Sequence, residues 1–149
     1  MSRGCRDSGS EDSKVRAVIP GLYQLRLRLD RPLTIRVGAL GNCRFPAGWY
    51  VYTGSARNGL YQRISRHLRH KKRRHWHIDH LLVIADHVEA FVLSETGETE
   101  CKLHAALAGG GVVVPGFGSS DCGCRSHLVW FRRKPGIQLM PWSEFIRQP

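Results

Sequence analysis

The sequence predicts an α+β fold: a small antiparallel sheet of three or more strands, flanked by helices. Two observations carry that expectation. Between Gly21 and Gly54 the apolar residues alternate with polar ones and the runs are broken by turn residues, whereas from Gly59 onward they recur every three or four positions. A chain of 149 residues, 42% apolar and 23% charged, also suits one domain with a core of its own.

Residues 1–17 are polar, of mixed charge and without periodicity, and read as a disordered tail, so that ordered structure starts at Val18 and the domain proper spans 18–134. In Gly21 to Leu29, Tyr23, Leu25, Leu27 and Leu29 alternate with Gln24, Arg26 and Arg28, the period of a half-buried strand. Asp30-Arg31-Pro32 turns the chain, Leu33 to Val37 alternates again, and Gly38, Gly41 and Asn42 mark a second turn. Phe45 to Gly48 is a third break before Trp49 to Gly54, aromatic and β-branched, the composition of a strand. Leu60, Ile64 and Leu68 then form the apolar stripe of a helix over 59–70, and a second helix is expected from His77 to Ala85. Val88 to Leu93 reads as a strand and Glu98 to Ala108 as a third helix, stopped by Gly109-Gly110-Gly111. Val112 to Val114 and Leu128 to Phe131 are short strands around a Gly/Ser/Cys loop. Residues 135–149 form a C-terminal tail whose Trp142, Phe145 and Ile146 dock on the body.

Charge sets the expected partner. Lys and Arg number 23 against 12 Asp and Glu, a net +11 with a pI near 10.1. Such an excess attracts polyanions, nucleic acid first among them. Arg66, Arg69, Lys71, Lys72, Arg73 and Arg74 cluster in one stretch suited to phosphate-backbone contact, which sets affinity without reading bases. No run approaches the ~20 apolar residues of a membrane span, and the N-terminus lacks the apolar core of a secretory signal. A cytoplasmic, reducing setting with no membrane partner follows. The five cysteines are odd in number and lack a framework spacing, so they read as thiols.

On the helix at 59–70, Arg63 and His67 lie one turn apart at the border of the apolar stripe, facing a groove or simply forming part of a basic surface. An Arg fork suits a phosphate and His67 suits proton transfer or a phosphate oxygen. Tyr23 and Tyr52 are packing residues in most strands. A phenol serves as a base only where cations or a metal lower its pKa from about 10, a task for Arg63 and a bound ion here. Glu100 opens a helix, where an acid favours the macrodipole. Trp76 reads as core, or as a platform for an unpaired base. Cys101, His104, Cys122, Cys124 and His127 are soft donors, but their spacing is not that of paired Cys-x-x-Cys ligands, and structural zinc is not expected.

Together these residues resemble the GIY-YIG nuclease superfamily. Gly21-Leu22-Tyr23 resembles its first motif and Tyr52-Thr53-Gly54 its second. Ser55 to Arg63 is similar to the loop and helix that carry its arginine, and His67 to a histidine found in part of the superfamily. The run Tyr50 to His67, with His75-Trp76-His77-Ile78-Asp79, Glu100-Cys101 and Phe117 to Cys122, resembles a branch of small GIY-YIG-like domains, some attached to the DNA-repair enzyme endonuclease III. The resemblance implies a Mg²⁺- or Mn²⁺-dependent endonuclease acting on DNA, with a DNA-repair enzyme as a further partner. In that role Tyr23 activates or holds water and Tyr52 supports it. Arg63 stabilises charge on the phosphate, His67 assists proton movement, Glu100 binds the metal, and Arg57 joins the basic stretch on DNA. A catalytically lapsed binding module and a repair adaptor are the alternatives on the same fold.

Two departures stand out. Leu33 to Ala47 is an inserted hairpin where the superfamily has a short one, and the asparagine often found after the glutamate is missing, its space falling to Ser119, Ser120 or Asp121. The catalytic reading requires both aromatic hydroxyls, the cation and the acid to face one hollow. Rings shut away from water would leave only the positively charged shell.

Overall fold

The computed structural model describes residues 19–94, 97–118 and 124–148, so the proposed tail at 1–17 and the Ser119, Ser120, Asp121 and Cys122 assignments lie outside the described residues. The elements are β1 (Gly21–Leu29), β2 (Leu33–Arg36), β3 (Asn42–Phe45), β4 (Gly48–Ala56), α1 (Leu60–Leu68), α2 (His77–Leu82), β5 (His87–Ser94), α3 (Glu100–Ala108), β6 (Val112–Val113), β7 (Leu128–Phe131), β8 (Met140–Pro141) and α4 (Trp142–Phe145). The fold is α+β: six strands in the order β6-β7-β4-β1-β5-β8, every pairing antiparallel, and a separate two-stranded sheet of β2 and β3.

Central position explains why β1 is more buried than its alternation suggests. It pairs with β4 on one side and β5 on the other, so the Tyr23, Leu25, Leu27 and Leu29 face enters the main core while Gln24 and Arg26 on the reverse face are also covered. Arg26 tolerates this because Glu89, its cross-strand partner on β5, meets its guanidinium at 2.8 Å, with Phe91 and Trp49 against its flat face. The reverse face holds a smaller cluster of Val51, Val129 and Phe131, against which α3 lays Leu107 and Ala108.

The inserted segment does not disturb the central pairing. β2 and β3 close on each other, Leu33 opposite Phe45, and Phe45 packs edge-on against Tyr50 and Phe117. β1 and β4 stay in register over their full length, with Tyr23 opposite Gly54 and Leu25 opposite Tyr52. Gly54 is required by that register, because a Cβ there would collide with the Tyr23 hydroxyl.

Helix α1 departs from the expected stripe. Leu60 and Ile64 are buried, but the third inward position is His67, while Leu68 is 38% exposed. Residues 60, 64 and 67 follow the helical period as well as 60, 64 and 68 do, and Trp76 and Tyr23 supply an aromatic lining that accepts the imidazole. At the other end of the chain, Met140 and Pro141 extend the sheet beyond β5, and Trp142 docks against Tyr61 and Phe145. No helix among the described residues is long and apolar enough to cross a membrane.

Trp142 is 9% exposed and belongs to the main core. Trp142→Ala should therefore lower unfolding free energy by about 3–5 kcal/mol in urea titrations, whereas a loosely attached tail would show a change below about 0.5 kcal/mol.

Candidate active site

Tyr23, Tyr52, Arg63 and Glu100 line one open cleft of about 590 Å³, together with Arg57, Asn58, Ser55, Trp76 and Gly118. Four elements meet there. β1 and β4 deliver the tyrosines from adjacent strands on one sheet face, α1 brings Arg63 across, and the N-terminus of α3, capped by Thr99 through the Lys102 amide, brings Glu100. The loop after β6 approaches so closely that a Cβ on Gly118, which has φ +72°, would lie 2.6 Å from the Tyr52 hydroxyl.

Contrary to what the catalytic reading required, both aromatic rings are shut away from water and meet the cleft only as its wall, so its partly exposed charged members are Arg63 and Glu100. Tyr23 is 1% and Tyr52 7% exposed, with ring centroids 6.4 Å apart. Burial decides their acidity. Tyr23 is pushed up to about 12 by desolvation, which outweighs the opposing charge of Arg63, and Tyr52 is pushed up for the same reason, with the neighbouring Tyr23 adding to it. The expectation gave the lowering of a tyrosine's pKa to Arg63 and a bound ion together; Arg63 alone does not achieve it against burial.

The position of His67 is also corrected. It is 2% exposed, behind the cleft rather than at a groove's rim, and its Nε2 lies 2.9 Å from the Tyr23 hydroxyl. Burial, which outweighs the attraction of Asp79, takes its pKa from the ordinary 6.5 down to about 3, so the imidazole is neutral. Its Nδ1 has no hydrogen-bond partner among the described residues, and Asp79 Oδ1 is 3.9 Å away. A carboxylate on that side favours the proton on Nδ1, which leaves Nε2 to accept the Tyr23 O–H.

Asp79 is the residue whose role the sequence concealed. Fully buried, it receives two hydrogen bonds from the Arg66 guanidinium and one each from the backbone amides of His75 and Trp76. Desolvation would raise its pKa, but these donors prevail and hold it at about 2. The acid stands three residues into a helix entered from Trp76 and closes back on that entry; neither this nor its reach toward His67 is marked by a Ser/Thr cap signature in the sequence.

Arg63 donates to the Ser55 carbonyl at 3.1 Å, and its guanidinium lies over the Trp76 ring at 4.5 Å, with that of Arg66 at 4.3 Å. The indole is half-buried and orients the two cations. Two members of the basic stretch turn inward, contrary to their expected role on phosphates. Arg66 is tied to Asp79 and to the Arg73 carbonyl, and Lys72 donates to the His67 and Arg66 carbonyls that end α1, burial lowering its pKa to about 8. Arg69, Lys71, Arg73 and Arg74 are exposed in the α1–α2 connection, and Arg57 is exposed at the cleft mouth.

Glu100 is partly exposed, with Oε2 3.4 Å from His127 Nδ1. A carboxylate at an open cleft could hold a hydrated Mg²⁺ or Mn²⁺, which keeps several waters and needs few protein ligands. The soft donors sort differently from their sequence order. Cys101, Cys124 and His127 come together, while His104 is left with a buried Nδ1 that has no partner among the described residues.

The chain belongs to the family described as Domain of unknown function DUF123, whose model matches residues 22–141 and so spans every cleft residue named above. No curated protein and no solved structure matches it.

The buried imidazole has a consequence for stability. Because the folded pKa of His67 lies below its unfolded value, the unfolded chain binds more protons between about pH 6.5 and pH 3, and stability falls as pH falls through that window. In urea titrations at pH 6.5 and pH 4, His67→Gln should shrink the acid-induced loss by roughly 3 kcal/mol. An unchanged loss would mean that His67 titrates like a free imidazole.

Proposed function

We propose that this chain is a divalent-metal-dependent endonuclease that hydrolyses phosphodiester bonds in DNA. The observation that carries the reading is the convergence of Tyr23, Arg63 and Glu100 on one cleft, with His67 hydrogen-bonded behind Tyr23. The positive shell at its mouth adds to it. Arg57, Arg69, Lys71, Arg73 and Arg74 are exposed there or on the adjoining connection, where a DNA backbone can neutralise them.

Arg63 faces the phosphate. Its fork is fixed by the Ser55 carbonyl and the Trp76 ring, so it donates to a non-bridging oxygen without reorganising as charge builds in the transition state. Glu100 would hold a hydrated Mg²⁺ or Mn²⁺, and such an ion would supply Lewis-acid stabilisation of the charge that builds during phosphodiester cleavage.

Tyr23 positions the attacking water. A phenol near 12 is not a standing phenolate at neutral pH, and an imidazole near 3 is a poor base, so Tyr23 acts as a neutral phenol that orients the water while its O–H is held by His67 Nε2. Asp79, ionised and held by Arg66, stands on the other side of that imidazole. Tyr52 closes the wall beside Tyr23 and excludes water from its ring. A repair setting, in which such a domain works beside a lesion-processing enzyme, is part of the same proposal.

The expected result is nicking of DNA that requires Mg²⁺ or Mn²⁺. It should fall about 100-fold or more in Arg63→Ala, Glu100→Gln and Tyr23→Phe, each with circular dichroism unchanged. Absence of cleavage on duplex, single-stranded, branched and damaged DNA would refute catalysis. Salt-sensitive binding without turnover would then assign the fold to a binding module.

Binding itself separates the exposed cations from the inward pair. Neutralising Arg69, Lys71, Arg73 and Arg74 together should flatten the slope of log K against log salt by about 3 to 4. Arg66→Ala should instead destabilise the fold by about 3–5 kcal/mol, because Asp79 would be left as a buried charge without its partner. Equal effects on binding from both variants would contradict the assignment.

A further inference from the structure

Outside the catalytic constellation, the fold gathers a second group of ligand-bearing side chains that the proposed reaction does not use. Cys101 is on the first turn of α3, whereas Cys124 and His127 belong to the segment that leads into β7. One donor atom from each lies within 4.8 Å of the others. We propose that Cys101, Cys124 and His127 bind one zinc ion, which fastens the start of α3 to the segment entering β7.

Three features support the assignment. The first is distance. Zinc at ~2.3 Å from sulfur and ~2.0 Å from nitrogen sets tetrahedral neighbours about 3.6 Å apart, and Cys101 Sγ lies 3.7 Å from His127 Nε2.

The second is orientation. His127 is fully buried and fixed along its backbone, its amide donating to the Phe117 carbonyl at 2.6 Å and its carbonyl accepting from the Thr53 amide at 3.0 Å. Glu100 Oε2 stands 3.4 Å from Nδ1, the side of the ring away from the sulfurs. Nε2 is thus the ring nitrogen that faces Cys101, while the acid on the Nδ1 side stands at an ion-pair distance and makes no hydrogen bond to that atom.

The third is donor chemistry. Two thiolates and one imidazole are soft to borderline ligands that favour zinc over Mg²⁺, so this group does not compete with the hard-ion role of Glu100. Three donors leave one tetrahedral position. Cys101 borders the open cleft, so water completes the set.

The spacing of these residues, with one glycine between Cys122 and Cys124, spoke against zinc. Spacing along the chain is not the relevant measure here, because Cys101 comes from a stretch more than 20 residues away from Cys124 and His127 and the fold brings the three donors together.

The test uses the full chain, purified reduced and then exposed to Zn²⁺ or Co²⁺ alone. Metal analysis should give about one zinc per chain, and Co²⁺ should produce a thiolate-to-cobalt charge-transfer band with the intense visible absorption of a tetrahedral site. Cys101→Ser and Cys124→Ser, checked for folding by circular dichroism, should each weaken binding about tenfold or more and diminish that band. Glu100→Gln should weaken zinc binding about 10–100-fold without removing the band. Folded, reduced wild-type protein that takes up no zinc and gives no thiolate band would overturn the proposal, as would an undiminished band in both cysteine variants. The readout does not involve DNA, so zinc binding stands or falls separately from cleavage.

Discussion

The register between β1 and β4 determines where both tyrosines point. Side chains alternate along a strand, so a slip of one residue would send Tyr23 to the face that holds Arg26 and leave the cleft without its phenol. Three constraints fix the register. Tyr23 overlies Gly54, the only residue type that leaves room for the ring. Leu25 and Leu27 sit opposite Tyr52 and Tyr50 inside the core, where a slip would bury polar groups. On the other side, β5 reads β1 in the same phase, Tyr23 opposite Val92 and Leu25 opposite Ala90. An inserted hairpin is tolerated because it folds onto itself and contributes Phe45 as a plug, leaving the pairing it interrupts in sequence intact.

Behind that register lies an electrostatic arrangement that a surface view would miss. In a chain of net charge +11, a carboxylate is fully buried under Arg66 and two backbone amides, within reach of a buried neutral imidazole. Removing two charges from water is costly, and such pairs seldom add net stability over apolar packing. Their value lies in fixing geometry. Asp79 anchors Arg66, Arg66 and Arg63 clasp Trp76, and Trp76 contacts the His67 ring, so the atoms behind Tyr23 are held from several directions. Part of the basic stretch is therefore internal scaffolding, and only its exposed members are free to meet an outside anion.

Strand alternation was legible in the sequence because period-two patterning is a local signal, and β1, β4, β5 and β7 fall where the apolar residues place them. Helix ends were less legible. The second helix stops at Leu82 rather than Ala85, and the third begins at Glu100, where Thr99 supplies the cap. Among the proposed site residues, Tyr23, Tyr52, Arg63 and Glu100 line one cleft. What sequence could not show was depth. Whether His67 or Leu68 faces inward depends on Tyr23 and Trp76, which arrive from other elements, and whether Arg66 meets DNA or Asp79 depends on where α2 docks. The soft donors illustrate the same limit, since spacing along the chain says little about ligands that a sheet and a helix terminus bring together.

Glu100 joins the two proposed sites, and its position follows from how α3 begins. Thr99 caps the helix, which puts the next side chain at the first turn, where the dipole favours an anion and the end of the sheet opens into the cleft. The carboxylate has two oxygens. Oε2 lies 3.4 Å from His127 Nδ1, and the side chain as a whole lines the cleft. The first turn of a nine-residue helix thus places one carboxylate between the cleft and His127, so a single substitution at Glu100 bears on both proposals, and only the DNA-free metal readout separates them.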